Sequence, residues 1–327
     1  MNETKHYKTD RILQLFFRAL KGAALSVTAL ANENNISTRS VTRDINDLKA
    51  FLADFRDILG NAELKYSSTN HCYSLDMDNL FSNKELLAIA KILIGCKAFN
   101  RDELLTIISK LKTHTSASDK QRLEKLISKE MFHYKEVGSD CDSVIENVWK
   151  LSSHIQEKRA ITVSYYKMNR DKVKHKLLPL SLMFSEYYFY LIAYDLDKVN
   201  QTNDFTPIYF RVDRITGITV HREQINLSRD QEFNEGLLRN RSQFMWPGPL
   251  RKIRFEFTGP SLQAILDRLP TAKVIDKYDG KSLIEAEVYG DGIKMFLLSQ
   301  GSWVKVIEPA EFVEDMKNEI TKMQSLY

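Results

Sequence analysis

Apolar positions in the first 55 residues recur at helical spacing. Ile12, Leu13, Leu15, Phe16 and Leu20 predict a helix over 8–21. Ser26 precedes a short helix carrying Val27, Leu30 and Ala31. Ser37 precedes a third, with Val41, Ile45, Leu48 and Leu52 on one face. A serine at each of these places accepts an otherwise free backbone N–H and caps the helix. Asn34-Asn35 between them predicts a turn, because Asn tolerates the left-handed conformation. The runs ELKYSS and HCYSLDM then alternate polar and apolar residues around Thr69-Asn70, which predicts a two-stranded hairpin.

From Asn83 to about Lys135 the pattern is helical and nearly free of Gly and Pro, and 142–157 adds one more helix. The period then changes. ITVSYY, HKLLPLSLMF, YYFYLIAYD, IYFRVDRI and GITVHRE are rich in β-branched and aromatic residues and predict five short strands closing into a small barrel. A polar linker follows over 226–249. The remainder alternates strand and helix patterns (RKIRFEFT, PSLQAILDRL, KVIDKY, LIEAEVY, KMFLLSQ, WVKVIEP, EFVEDMKNEITKM) and predicts a mixed α+β module.

The length of 327 residues predicts more than one domain, and 43% hydrophobic with 28% charged residues is a globular composition. No run of about 18 apolar residues occurs, so no membrane-spanning helix is expected. The charged start MNETKHYKTD has no apolar signal-peptide segment, which points to the cytoplasm. Cys72, Cys96 and Cys141 are odd in number and far apart, as expected of free thiols in a reducing compartment. The net charge of +4 is small, but residues 159–222 hold ten Lys and Arg against six Asp and Glu, an excess equal to that of the whole chain.

The segment LANENNISTRSVTRDINDLKAFL has the helix–turn–helix arrangement that fits a DNA major groove. Its groove-facing residues would be Ser37, Thr38, Arg39, Ser40, Thr42 and Arg43. Arg39 and Arg43 lie one turn apart, opposite the apolar stripe, where Arg reads guanine or holds phosphate. With the hairpin as a wing, the segment resembles the winged helix-turn-helix of DeoR-like regulators. Leu30-Ala31, Ile36-Ser37, Arg39, Ser40-Val41, Arg43-Asp44-Ile45 and Leu48 match in place, while Asn34-Asn35 departs from the usual apolar-Gly turn.

The barrel segment resembles the WYL domain through Tyr165, Leu178-Pro179-Leu180, Phe189-Tyr190-Leu191 (an aromatic replacing the Trp), and Arg211 and Arg214 in FRVDRI. That resemblance implies an Sm-like or SH3-like barrel that senses nucleotides or nucleic-acid fragments. Strand parity puts Phe189, Leu191 and Ala193 on a core face and Tyr188, Tyr190, Ile192 and Tyr194 on the other, leaving Tyr190 free to stack a base. Arg211 and Arg214 suit phosphate, with Lys174, His175 and Lys176 adding positive potential. Three residues apart, the two arginines reach one pocket only if the strand bends or ends near Asp213. The ligand residues expected are Tyr165, Lys176, Tyr190, Arg211 and Arg214. The C-terminal stretch, with Leu297-Leu298-Ser299-Gln300-Gly301, Val304, Val306, Glu308-Pro309 and a closing amphipathic helix, resembles the extension that follows WYL domains and implies a ferredoxin-like fold.

The expected chain is thus multidomain α+β. A winged helix-turn-helix spans 1–78, a helical linker and dimerisation region 79–158, a WYL-like sensor barrel 159–225 and a C-terminal extension domain 249–327. No GxSxG, P-loop, HExxH or GxGxxG occurs, and the seven histidines show no metal-ligand spacing, so no enzyme, cofactor or metal is expected. The function implied is a ligand-responsive transcription regulator, a homodimeric repressor binding a duplex operator and a nucleotide or single-stranded effector. The alternative is a non-transcriptional single-stranded nucleic-acid binder working through the basic barrel.

Overall fold

A computed structural model describes residues 8–77, 81, 83–112, 117–228 and 233–327; His6, His114 and part of the linker lie outside them. The chain is mixed α+β and forms two units, Met1–Glu136 and Val137–Tyr327.

In the first unit, α1 (Lys8–Leu20), α2 (Val27–Glu33) and α3 (Thr38–Asp54) pack around Leu15, Leu30, Val41, Ile45, Leu48 and Leu52, all buried. Both predicted caps form: Ser26 Oγ accepts from the Ala29 N–H at 3.4 Å and Ser37 Oγ from the Ser40 N–H at 3.2 Å. Asn35 takes a left-handed φ of 51°, as the turn requires. A buried ion pair joins α1 to α3, with Arg11 Nε 2.9 Å from Asp44. After a short α4 (Arg56–Leu59), the hairpin β1 (Ala62–Ser67) and β2 (Cys72–Met77) forms in the expected antiparallel register. It is tied back to the α1–α2 connection where Leu25 and Tyr73 exchange backbone hydrogen bonds of 2.7 and 2.9 Å.

The helical run that follows divides into α5 (Asn83–Cys96), α6 (Arg101–Lys112) and α7 (Ala117–Phe132). They share a core of Ala90, Ile94, Leu104, Ile108, Leu123 and Ile127. The break after α5 falls where Lys97 adopts φ 54° and Asn100 caps α6 through the Glu103 N–H at 2.8 Å.

The second unit begins with α8 (Val144–Gln156). The next elements are β3 (Arg159–Tyr166), β4 (Lys172–Ser185), β5 (Tyr188–Asp195), α9 (Leu196–Thr202), β6 (Ile208–Arg211) and β7 (Ile215–Gln224). The sheet is antiparallel in the order β6-β5-β4-β3-β7. It has two unpaired ends, so the closed barrel expected from sequence is not found among the described residues. The reason lies at β6, which is four residues long and stops in a 3₁₀ turn over 212–214 before it could pair with β7. One sheet face packs on α8 through Ile161, Val163, Leu177, Leu191, Phe210 and Ile215.

The linker holds α10 (Glu235–Arg241). Beyond it lie β8 (Leu250–Phe257), α11 (Leu262–Arg268), β9 (Lys273–Tyr278), β10 (Lys281–Tyr289), α12 (Gly292–Ser299), β11 (Val304–Glu308) and α13 (Ala310–Gln324). The sheet order is β11-β8-β10-β9. Ile253, Phe255, Ile284, Ala286 and Val288 face Ile265, Phe296 and Phe312 in the core, and ion pairs such as Arg254–Glu285 at 2.8 Å line the strands' other side.

The linker crosses the 290–292 loop at very close range. A Cβ on Gly292 would overlap the Gln243 carbonyl oxygen, backbone that has no freedom to give way. Gly292→Ala should therefore destabilise the second unit by about 1–3 kcal/mol or more. Gly95→Ala, in α5 with open space at its Cβ, should stabilise by up to about 1 kcal/mol. Urea unfolding of both variants checks the pair, and an unperturbed Gly292→Ala would disprove the close crossing.

Candidate nucleic-acid and ligand sites

The first candidate site is the N-terminal half of α3. Ser37 is spent on the cap, and its Oγ lies 2.9 Å from Ser40 Oγ. Thr42 Oγ1 donates to the Thr38 carbonyl at 2.9 Å. Thr38, Arg39, Thr42 and Arg43 are exposed and Ser40 is half-buried, while Val41 and Ile45 on the reverse side are buried. Neither Arg39 nor Arg43 has a carboxylate partner among the described residues. Their neighbours are engaged: Asp44 holds Arg11, and Asp47 holds Lys8 at 2.6 Å. The helix therefore presents two uncompensated guanidinium groups beside hydroxyls.

The second site is built around Arg211, the last residue of β6. Its backbone position faces Tyr190 across the strand pair. Its Nε and Nη2 donate to the Asp213 carboxylate at 3.1 and 2.6 Å, and the guanidinium lies 3.4 Å from the Tyr188 ring centroid. Burial works against the Arg211 charge, but the Asp213 hydrogen bond and charge outweigh it and hold the group above its ordinary range. Burial pushes the Tyr190 hydroxyl up, with the Arg211 charge acting the other way. Asp213 itself is 4% exposed. Its backbone carbonyl accepts from the Asp140 and Cys141 N–H groups at 2.8 and 3.1 Å. Two of the five guanidinium N–H donors are thus committed, which leaves the Nη1 edge for a ligand.

The sequence-predicted ligand residues are only partly brought together. Tyr190 and Arg211 are neighbours on one face. The strand does end before Asp213, and Arg214 sits in the 3₁₀ turn that follows. Tyr165 lies on the opposite, core face, with its ring 5.2 Å from Phe210 in a T-shaped contact. Lys176 is remote: Tyr190 faces Met183 on β4, seven residues further along, about 23 Å at 3.3 Å per residue. Nor is the Tyr190 face open as strand parity alone suggested. Met183, Ile192, Leu238 and Met245 cover it, so Tyr190 is half-buried beneath the linker. Tyr188 and Asp213 were missed, although Arg and Asp two residues apart at a strand end could have signalled the pair.

Two clefts adjoin the sheet. One, of about 350 Å³, lies between α8 and the start of β7 and is rimmed by Asp140, Asp142 and Glu146. The other, of about 190 Å³, is lined by Ile155, Lys158, Leu178, Ile225 and Phe233. Among the described residues no cluster of His, Cys, Asp or Glu could hold a metal ion, and no helix is long and apolar enough to cross a membrane. The three cysteines are free and half-buried.

Residues 146–220 match the family model of the WYL domain, and residues 249–324 match that of the WCX domain. The chain carries a WYL domain followed by a WCX domain. Among solved structures it is similar to proteasome accessory factor B/C (PafBC) of Arthrobacter aurescens, at 17% identity and a TM-score of 0.31, over 98% of this chain and 48% of that one. The chain therefore spans about half the length of that protein. It is also similar to a CRISPR Cas-related protein, at 14% identity and a TM-score of 0.39, over 94% of this chain and 93% of the other. No curated protein matches it.

On the Arg211 strand of the WYL domain, Tyr209 faces Ile192, and burial pushes its hydroxyl from 10 up to about 12. Tyr134 in the first unit is raised to about 12 as well, chiefly by burial. A folded pKa above the unfolded value means the neutral form is favoured. The resulting stability is complete below pH 10 and is lost as pH rises from 10 to 12. Absorbance titration should show a late-ionising tyrosine class that shrinks by one in Tyr209→Phe. A class of unchanged size would contradict the burial of that strand.

Proposed function

We propose that the chain is a ligand-responsive, DNA-binding transcription regulator, acting as a homodimeric repressor in the cytoplasm, without catalytic activity, cofactor or metal. The observation that carries this reading is the pair Arg39 and Arg43, exposed and unpaired on the capped half of α3. The three helices and the tethered hairpin support reading 8–77 as a winged helix-turn-helix of DeoR-like type, with α3 in the major groove and the hairpin as wing. The WYL domain is the sensor. Tyr190 and Arg211, with Arg214 beside them, take a phosphate-bearing effector such as a nucleotide or nucleic-acid fragment, and the free Nη1 edge of Arg211 is the anion contact. The order β11-β8-β10-β9, with one helix after β8 and one after β10, supports a ferredoxin-like reading of the WCX domain. Two-fold pairing doubles the few base pairs one recognition helix reads.

Arg39→Ala and Arg43→Ala should each keep the fold. Whichever of the two reads a base edge should lose about 1–3 kcal/mol of operator affinity. The measurement is a gel-shift titration at fixed salt on an operator selected from random duplex DNA, and unchanged affinity in both variants would remove α3 from the interface. Arg211→Ala should abolish the effector's influence on operator affinity while operator binding itself persists, since coupling between two sites is reciprocal. A full response in that variant would sink the sensor assignment. Light scattering should give twice the 38.0 kDa chain mass; a monomer at micromolar concentration, with and without DNA, would refute the dimer.

A further inference from the structure

The first unit leaves a group of large apolar side chains uncovered toward the end of α3 that is far from Arg39 and Arg43. Leu13 and Phe17, one turn apart on α1, are exposed, as are Phe51 and Phe55 at the end of α3 and Ile58 on α4. The patch is continuous. The Phe16 ring lies 5.9 Å from that of Phe17 and 6.4 Å from that of Phe51, which lies 4.7 Å from that of Phe55. The core of the unit does not need these groups. Leu15 and Ala19 take the buried side of α1, and Val41, Ile45, Leu48 and Leu52 that of α3, so Phe51 and Phe55 fall beside the buried stripe and not in it. With roughly half of about 200 Å² uncovered on each, the five side chains expose about 500 Å², the size of patch that marks an interaction site. Both signs of charge stand at its rim: Lys21, Asp54, Arg56 and Asp57 are exposed, each within one turn of Phe17, Phe55 or Ile58.

We propose that two copies of the chain meet patch against patch on DNA, and that this contact sets the separation of the two recognition helices. The inference rests on the reading of α3 as the recognition helix. Three features select a second copy as the occupant. The first is distance. The middle of 39–43 and the middle of 51–55 are twelve residues apart along α3, about 18 Å at 1.5 Å per residue. A two-fold contact with the α3 helices antiparallel doubles this to about 36 Å, and successive major-groove entries on one side of a duplex are about 34–36 Å apart. A partner unrelated to the chain has no need to stand at the groove repeat. The second is area. Two such patches bury about 1,000 Å² together, the lower bound for a specific interface and enough for a contact made on DNA between chains also held elsewhere. The third is charge. Two exposed cations and two exposed anions at the rim let the patch face its own copy without a net like-charge clash.

The test uses the full chain and an operator selected from random duplex DNA, in three forms: a single half-site, two half-sites at the selected spacing, and two half-sites moved apart by about 5 bp, half a turn of the duplex. Affinity is measured by anisotropy at fixed salt. The wild-type chain should prefer the selected spacing to the shifted one by about ten-fold or more. Phe17→Glu/Ile58→Glu brings four carboxylates into the contact. The two positions are 56% and 71% exposed, so an unchanged thermal melt is expected. This variant should bind the single half-site as the wild type does, and bind the two spacings alike. Phe17→Leu/Ile58→Leu should keep the preference. A preference retained by the glutamate pair would overturn the proposal. So would a selected operator with one half-site, or a wild-type chain indifferent to spacing, the result expected if another protein covers the patch. A lowered melt or weaker binding to the single half-site would make the patch part of the fold of α3 and also overturn it. Failure of the recognition-helix reading is told apart, because Arg39→Ala/Arg43→Ala would then leave half-site affinity untouched.

Discussion

Asp213 is the residue on which the WYL sheet is organised. A carboxylate buried to 4% exposure is costly unless it is paired and hydrogen-bonded. Arg211 meets that demand through a two-pronged contact, and Tyr188 stacks beneath the guanidinium. The carbonyl of the same residue accepts the backbone of 140 and 141, the segment that leads into α8. One residue therefore stops β6, fixes the arginine and anchors the approach of the helix whose Val144 and Leu151 fill the core. Removing either charge would leave the other buried alone, an expensive outcome relative to the modest net contribution of the intact pair.

From that anchor the two faces of the sheet acquire different roles. The face toward α8 is continuous core. The opposite face is divided along its length. Near β5 it lies under Leu238 and Met245 of the linker, and further along Leu178 and Tyr194 are buried with Leu196. Only the rows from Lys176 to Lys172 remain open. The same sheet thus holds a half-buried, internally balanced arginine and, at its other end, the exposed Lys172 and Lys174.

Much of this was legible in the sequence. The 3.6-residue period of Val41, Ile45 and Leu48, the serines before α2 and α3 and the alternation of the hairpin each report a local rule, and local rules decide those elements. Tyr190 shows where legibility ends. Its parity is correct, but its cover comes from residues some fifty positions later, and no periodicity within a strand reveals that. Lys176 fails for a related reason. The run HKLLPLSLMF reads as a short strand, yet β4 runs for 14 residues across a bulge and carries Lys176 away from Tyr190. The closed barrel fails on β6, whose apolar run continues in sequence past the point where Asp213 turns the chain.

The charges of the protein then sort by a single criterion. A charge that serves the fold is paired: Asp44 with Arg11, Asp213 with Arg211, Glu285 with Lys252 and Arg254. Such pairs hold geometry and have little field left to attract a partner. Arg39, Arg43, Lys172 and Lys174 are exposed, so leaving them unpaired costs the fold little, since surface ion pairs are worth only about 0–1 kcal/mol. For a polyanion these groups are accessible charge, and each phosphate they meet releases counterions. Arg211 belongs to both classes. It is held by Asp213 yet keeps one edge free, so it would contribute direction more than attraction, a property suited to recognising one ligand among many anions.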